Sequence, residues 1–317
     1  MYYEPYRPRR RTSCLGRLFR IALILAILWA VLMLITRLPV SIKLPFVDGN
    51  LSLDGLFSSG YTNVLLLGAD NEEGRGRTDT IIVASLGGGE IKLTSIMRDT
   101  LVNIGGYGQH KINAAYRLGG EQLAMQTVNE AFGLNITRYA VIDFEGFSDL
   151  IDSVDGVSVN VTKAEMQEIN KGLDTTWKRL GDGRPIEYLK TYGKDTHLTG
   201  PQALAYSRIR KIDSDYVRSS RQRAVLEAMI EKLRATKNPV VLAKLAQTAF
   251  STIETNVNVF EIGFDAVKIL AGSLNMDQLR LPADGAYTTG TVDGAWVIKP
   301  DLSRNRKILQ TFLNGDS

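Results

Sequence analysis

Sixteen consecutive uncharged residues, IALILAILWAVLMLIT from Ile21 to Thr36, constrain this chain more than any other stretch. As a helix the run is roughly 24 Å long at about 1.5 Å per residue. That is short of a hydrocarbon core of ~30 Å. Leu18 and Phe19 before it and Leu38 to Val40 after it supply the remaining length, with Arg20 and Arg37 snorkelling to the interfaces. The segment 18–40 therefore reads as a transmembrane helix, the alternative being a buried core helix. A cleavable signal peptide competes, but the following TRLPVSIKLPF holds no A-x-A-like site. The expectation is an uncleaved signal-anchor.

Charge orients it. The formal net charge is +4. The first twenty residues hold six arginines (Arg7, Arg9, Arg10, Arg11, Arg17 and Arg20) against Glu4, so they carry +5 and the rest of the chain −1. The positive-inside bias keeps the tail 1–17 in the cytoplasm and exports everything after the span. The remainder lacks the domain-wide positive excess of a general nucleic-acid binder. The single cysteine, Cys14, falls on the cytoplasmic side, so the exported part has no disulfide. Pro39, Pro45, Gly49, Gly55 and Gly60 with scattered Ser and Asp make 41–60 a stalk.

From Tyr61 the pattern changes to alternating strands and helices. YTNVLLLG and DTIIVASL are short apolar runs of the kind that form buried strands. EIKLTSIM alternates, with Ile91, Leu93 and Ser95 on one face. GGEQLAMQTVNEAFG reads as a helix closed by Gly133, RYAVID as a strand, FEGFSDLIDSV as a helix and GVSVNV as a strand. LGGGE is a tight turn between strands, because no helix follows it. Residues 162–197 form a polar, partly helical excursion. LTGPQALAYSR then starts a helix, with Thr199 and Gln202 at capping-box spacing and Pro201 in the first turn. A longer helix is expected from about Tyr216 to Ala235 with Asp215 as N-cap, and others near 239–250 and 259–272. LRLPAD and AWVIKP read as a final strand pair before a helix over Asp301–Leu313. Such alternation predicts one α/β domain over 61–315, a mixed sheet with helices on its faces.

Three clusters carry chemistry. In YSRIRKIDSDYVRSSRQ, Arg208 and Arg210 sit two apart, while Arg218, Arg221 and Gln222 have the i, i+3, i+4 spacing of one helix face. Guanidinium forks match phosphate oxygens, and a helix N-terminus adds free N–H groups. A solvated charged face is the plain alternative. In LLLGADNEEGRGRTDTIIV, Asp70 follows one strand, Arg75 and Arg77 sit among glycines, and Asp79 opens the next. Carboxylates at strand ends beside arginines suit a divalent cation that shares phosphate ligands; a turn with solvated charges is the alternative. In SIMRDTLVNIGGYGQHKINAAYRLGG, Arg98, Asp99 and Lys111 are individually unremarkable. His110 and His197 lack zinc spacing, and neither a G-x-S-x-G elbow nor a Walker A sequence occurs.

Taken together, NVLLLGAD…GRTDTIIV, LTSIMRDTLVNI, HKINAAYRLGG and LTGPQALAYSRIRKIDSDYVRSSRQ resemble the LytR-CpsA-Psr family of bacterial cell-envelope proteins, in order and spacing over about 61–225. PDLSRNRKILQTFL resembles the family's closing segment less specifically. The resemblance implies an α-β-α fold and a phosphotransferase. It would move an anionic glycopolymer of teichoic acid or capsule type from a polyprenyl pyrophosphate carrier to peptidoglycan, releasing polyprenyl phosphate. By motif, Asp70 and Asp79 would bind Mg²⁺ (or Mn²⁺). Arg98, Lys111, Arg208, Arg210, Arg218 and Gln222 would hold the pyrophosphate, with Asp215 at the acidic position of the arginine loop and Arg75 and Arg77 joining them. Asp79, Arg98, Arg208 and Arg210 are the residues expected at the chemistry itself. Asp79 and Asp99 are the candidate general bases. The prenyl chain would lie between the sheet and helices such as 120–132 and 143–153. Met97 stands where the family usually has Pro, and Thr78 where it often has Ser; neither change removes a charge.

Three other functions use the same residues or topology. A polyprenyl-pyrophosphate pyrophosphatase would take water as acceptor. A non-catalytic envelope-polymer binder would have no need of Asp70 and Asp79. A transcription regulator conflicts with an exported domain and a cytoplasmic tail without a helix-turn-helix.

Overall fold

The computed structural model describes residues 61–70, 76–87, 90–180, 185–209, 215–236, 238–257 and 276–314. The expected tail, span and stalk lie outside them, as does the helix expected near 259–272. Among the described residues no helix is long and apolar enough to cross a membrane.

In chain order the first elements are β1 (Thr62–Ala69), β2 (Thr78–Gly87), β3 (Glu90–Ile96), β4 (Leu101–Ile104) and β5 (Gly108–Lys111). Next come α1 (Ala114–Phe132), β6 (Arg138–Ile142), α2 (Phe144–Ser153), β7 (Val157–Val161), α3 (Lys163–Leu180), β8 (Gly193–Leu198) and α4 (Gly200–Ser207). The last are α5 (Asp215–Ala235), α6 (Pro239–Thr252), β9 (Ile253–Thr255), β10 (Met276–Leu281), β11 (Tyr287–Val292), β12 (Ala295–Pro300) and α7 (Leu302–Asn314).

Six strands form the central sheet in the order β10-β3-β2-β1-β6-β9. It is mixed: β1 runs parallel to β6 and β3 to β10, and the other neighbours are antiparallel. Alternation along β1 and β2 divides the two faces. Leu65, Leu67, Ile81 and Val83 enter a core with Val128 and Phe132 of α1 and Leu309 of α7. On the other face, Ile82, Ala84, Ile91 and Leu93 meet Leu226 and Ile230 of α5. A third cluster joins the antiparallel pair β7–β8 to α3, α4 and α5 through Val157, Ile169, Leu173, Leu198, Ala203 and Val225. This is the expected helix–sheet–helix layering, with the arginine-rich helix on the face away from α1.

Several local expectations hold. Gly133 closes α1 with φ 71°, a left-handed conformation that glycine adopts at little cost. At the start of α4 the Thr199 N–H donates to Oε1 of Gln202 at 3.1 Å. Others change. LRLPAD and AWVIKP do not pair with each other: β10 joins the main sheet beside β3, and β12 pairs with β11, which lacks a strong apolar signature. β3 has no solvent face, since Ile91 through Ile96 are all buried. Its Lys92 extends to the carbonyls of Phe312 (2.8 Å) and Leu313 (3.0 Å), the last turn of α7, where a cation complements the helix dipole. Met97 adds a hydrogen bond that proline has no N–H to make, its amide donating to Leu281 at 2.8 Å and extending the β3–β10 ladder towards Arg98.

Candidate active site

A cavity of about 230 Å³ lies on the α5 side of the sheet. Its floor is the face of β1, β2 and β6 that carries Leu66, Gly68, Thr80, Ile82, Ala140 and Ile142. Phe147 and Leu150 of α2, Leu204 of α4, and Val225, Leu226 and Met229 of α5 close over it. The helix over 120–132, expected beside a prenyl groove, does not face this cavity: α1 packs on the opposite face of the sheet, because the residues that touch it are the odd-numbered ones of β1. Gly68 keeps the floor low; a Cβ there would come within 3.0 Å of Thr80 Cβ.

Polar groups gather where β1 and β6 end, the C-terminal edge at which open α/β sheets bind ligands. Asp79, Asp143, Ser207, Arg208, Arg218 and Gln222 all line this part of the cavity wall. Asp79 arrives there through a β-bulge. Gly68 pairs with Thr80 but Ala69 pairs with Thr78, which leaves Asp79 as the extra residue. A bulge breaks the alternation that would turn Asp79 to the α1 face. Arg98 Nη1 bonds Asp79 Oδ1 at 2.6 Å. Arg98 Nε stands 3.4 Å from Asp99 Oδ2, and Lys111 Nζ bonds Asp99 Oδ1 at 2.6 Å. Lys111 is thus linked to the site through Asp99 rather than by lining it.

The arginines of YSRIRKIDSDYVRSSRQ separate by rotation about α5. Gln222 lies about 40° from Arg218 at 100° per residue, so both face the cavity. Arg221 lies about 60° to the other side, and its Nε bonds Glu165 Oε1 of α3 at 2.7 Å. This corrects the single-face grouping: Arg221 is a structural arginine. Arg223 points elsewhere again, to Gln278 of β10 at 2.7 Å. Burial acts to raise the Glu165 carboxyl, but the Thr162 N–H, the Arg221 guanidinium and the Thr162 hydroxyl outweigh it and hold the carboxyl below its ordinary value.

Arg208 ends α4 with its guanidinium 3.9 Å from the centre of the Phe144 ring. Two close approaches set that position. A Cβ at Gly200 would fall 2.1 Å from the carbonyl oxygen of Ser148, so glycine lets α4 press onto α2. Asp143 caps α2 by accepting the Gly146 N–H at 2.8 Å. Phe144, Asp143 and Ser207 were absent from the sequence expectation. For Asp143 and Phe144 the one sequence signal is that DFEGF follows a buried strand directly. Stacking on an aromatic face is worth about 0.5–2 kcal/mol. Phe144→Leu is therefore expected to weaken retention of an anionic lipid about three- to tenfold with little change in melting temperature, read by quantitative lipid extraction.

The remaining expected residues are placed as follows. The Asp70 N–H donates to the Arg77 carbonyl at 3.1 Å, which brings the two together at the β1–β2 end, outside the cavity lining. Arg77 is exposed. Arg75 and Arg210 lie outside the described residues. Asp215 begins α5, one residue before the expected start, and its side chain is outside the description.

The cavity is apolar along the sheet and ends at two arginines, a glutamine and an arginine-paired aspartate. The chain belongs to the LytR_cpsA_psr family, whose profile matches residues 46–312. The regulatory protein MsrR of Staphylococcus aureus is 30% identical over 270 residues, covering 82% of this chain and 76% of that protein. The polyisoprenyl-teichoic acid–peptidoglycan teichoic acid transferase TagV of Bacillus subtilis is 32% identical over 252 residues, covering 76% and 61%. The structure of the family protein YwtF (TagT) with bound octaprenyl pyrophosphate lipid superposes with a TM-score of 0.60 at 26% identity, over 80% of this chain and 91% of that one.

Proposed function

We propose that this chain is a membrane-anchored phosphotransferase that moves an anionic glycopolymer from polyprenyl pyrophosphate to peptidoglycan. The observation that carries the reading is the two-sided cavity: apolar between the sheet and α5, and at its polar end lined by Asp79, Asp143, Arg208, Arg218 and Gln222. The bound lipid of TagT and the activity in the name of TagV support the same substrates.

The reaction balances as follows. A hydroxyl oxygen of the peptidoglycan glycan attacks the phosphorus attached to the glycopolymer. A new P–O bond forms, the bond to the distal phosphate breaks, and polyprenyl phosphate leaves with the electron pair. The hydroxyl proton passes to a nearby base, for which Asp79 is the better-placed carboxylate because it lines the cavity. Asp99 is instead held between Arg98 and Lys111. Arg208, Arg218 and Gln222 bind the non-bridging oxygens, with Arg210 and Arg75 assigned from the motif alone. Arg98 and Lys111 place positive charge behind Asp79 and Asp99. Positioning and charge neutralisation supply most of the rate in such transfers.

Carboxylates at the ends of β1 and β2 are hard oxygen donors of the kind a divalent cation takes. Among the described residues no group of three or more His, Cys, Asp or Glu could hold a metal alone. Mg²⁺ commonly uses one or two carboxylates and takes its other ligands from substrate phosphates and water. Asp70 and Asp79, at the ends of adjacent strands, would hold Mg²⁺ or Mn²⁺. Bound there, the ion would neutralise charge on the pyrophosphate. Chelation is expected to abolish transfer, and either ion to restore it.

The testing experiment is mass spectrometry of lipids that co-purify with the full-length protein in mild detergent, beside Arg98→Ala and Arg208→Ala. A polyprenyl phosphate or pyrophosphate in wild type, depleted at least tenfold in the variants, is the expected result. A folded wild type that neither carries nor takes up such a lipid would overturn the reading. Lipid release that proceeds equally without peptidoglycan would assign a pyrophosphatase instead. The expected anchor over 18–40 and the exported domain are tested by a C-terminal reporter read on each side of the membrane.

A further inference from the structure

We propose that Trp296 is the stacking platform for the acceptor glycan, on a ribbon that the fold ties to the Arg98–Asp99 turn. The inference rests on the transferase reading above. β11 and β12 form a two-stranded ribbon outside the central sheet. The N–H of Ile298 donates to the Asp99 carbonyl at 3.0 Å, and Thr100 bridges Ile298 in parallel register. Asp99 in turn accepts Lys111 at 2.6 Å. Trp296 is two residues from Ile298, about 7 Å along the strand and on the same face. Yet Ile298 is fully buried and Trp296 is 49% exposed.

Its neighbours decide what would lie on it. The cross-strand partner of Trp296 is Thr291, and that of Ile298 is Thr289; both threonines are exposed. The face is an indole beside two hydroxyls, with no charged side chain among the three. A pyranose ring offers an apolar C–H face and an edge of hydroxyls, which an aromatic plane and neutral donor–acceptor groups complement. An anionic polymer would call for cations, and a protein partner for a broader apolar patch. The donor lipid is already accommodated, since no residue of β11 or β12 lines the cavity. The Arg98–Asp99 turn lies between the two substrates. Arg98 reaches Asp79 at the cavity, and the carbonyl of Asp99 holds the ribbon.

The test uses the full-length protein in detergent with disaccharide-peptide fragments released from peptidoglycan by a muramidase. Trp296→Ala is expected to raise KM for the fragment about tenfold with kcat changed less than threefold, and Trp296→Phe to recover most of the loss. Separately, in a Trp29→Phe/Trp177→Phe background, the emission of the remaining tryptophan should shift saturably with the fragment. An unchanged KM in folded Trp296→Ala, or emission that ignores the fragment, overturns the proposal. Emission that responds only to teichoic acid polymer overturns it too, in favour of a donor-polymer site. If the fragment shifts the emission while no acceptor-dependent turnover exists, the transferase reading fails and the glycan platform stands.

Discussion

Asp79→Asn is expected to lower transfer by about three orders of magnitude while leaving the fold intact. The substitution keeps shape and a carbonyl oxygen, so the Arg98 Nη1 contact, now 2.6 Å, survives as a neutral-acceptor hydrogen bond. What disappears is charge. Asp79 and Arg98 are each about one-fifth exposed, 21% and 18%, so solvent only partly screens their interaction. Without the carboxylate, Arg98 loses its anchoring charge, the proposed divalent ion would lose one of its two proposed donors, and the attacking hydroxyl would lose its proposed base. Removing a single preorganised electrostatic group at a reacting centre typically costs about 10²–10³ in rate. Turnover should be measured with lipid-linked donor and peptidoglycan fragments, with melting temperature as the control for folding. Activity within tenfold of wild type would remove Asp79 from the chemistry.

The largest stability effect is expected at Glu165. Glu165 and Arg221 are 8% and 3% exposed and join α3 to α5 by a 2.7 Å bond. Breaking a buried ion pair by removing one partner costs about 3–5 kcal/mol, because the other charge stays buried. Glu165→Ala should therefore destabilise the domain by that order in urea unfolding. Glu165→Leu/Arg221→Met should recover much of it, since an apolar pair of similar volume can replace a buried pair. The pH dependence has a definite sign. The folded-state carboxyl sits below its ordinary value, so its contribution is complete above the unfolded-state pKa of ~4.3. It disappears as pH falls through the folded value. The gap between wild type and Glu165→Gln should be widest near neutrality and close in acid. A gap that widened on acidification would refute the assignment. Loss of α5 packing would also move Arg218 and Gln222, so residual activity should fall with stability.

Much of the site was legible as composition. Arg208, Arg218, Gln222 and Asp79 were named from spacing and motif, and all four line the cavity. Arg221 shows where spacing stops. Its separation from Arg218 is that of a shared helix face, but Glu165 lies 56 residues earlier and captures it. No local pattern encodes such a partner. Phe144 was missed because an aromatic after a buried strand reads as core; its role depends on α4 pressing onto α2 at Gly200 and bringing Arg208 over the ring. The side of the sheet that holds the cavity was also undetermined, since β1 is apolar on both faces.

By itself the sequence determined the more apolar strands β1, β2, β3, β6, β7, β10 and β12, the main helices, the Gly133 cap, the Thr199 start of α4, and the stock of cations and carboxylates. These follow from short-range periodicity and backbone chemistry, which act within a few residues. Only the tertiary structure decided which groups meet. The bulge turns Asp79 to the cavity, one face of the sheet takes α1 and the other α5, and three neighbouring arginines part, Arg218 to the cavity, Arg221 to Glu165 and Arg223 to Gln278. Those outcomes depend on strand register and helix rotation, and both are set by packing between segments far apart in the chain.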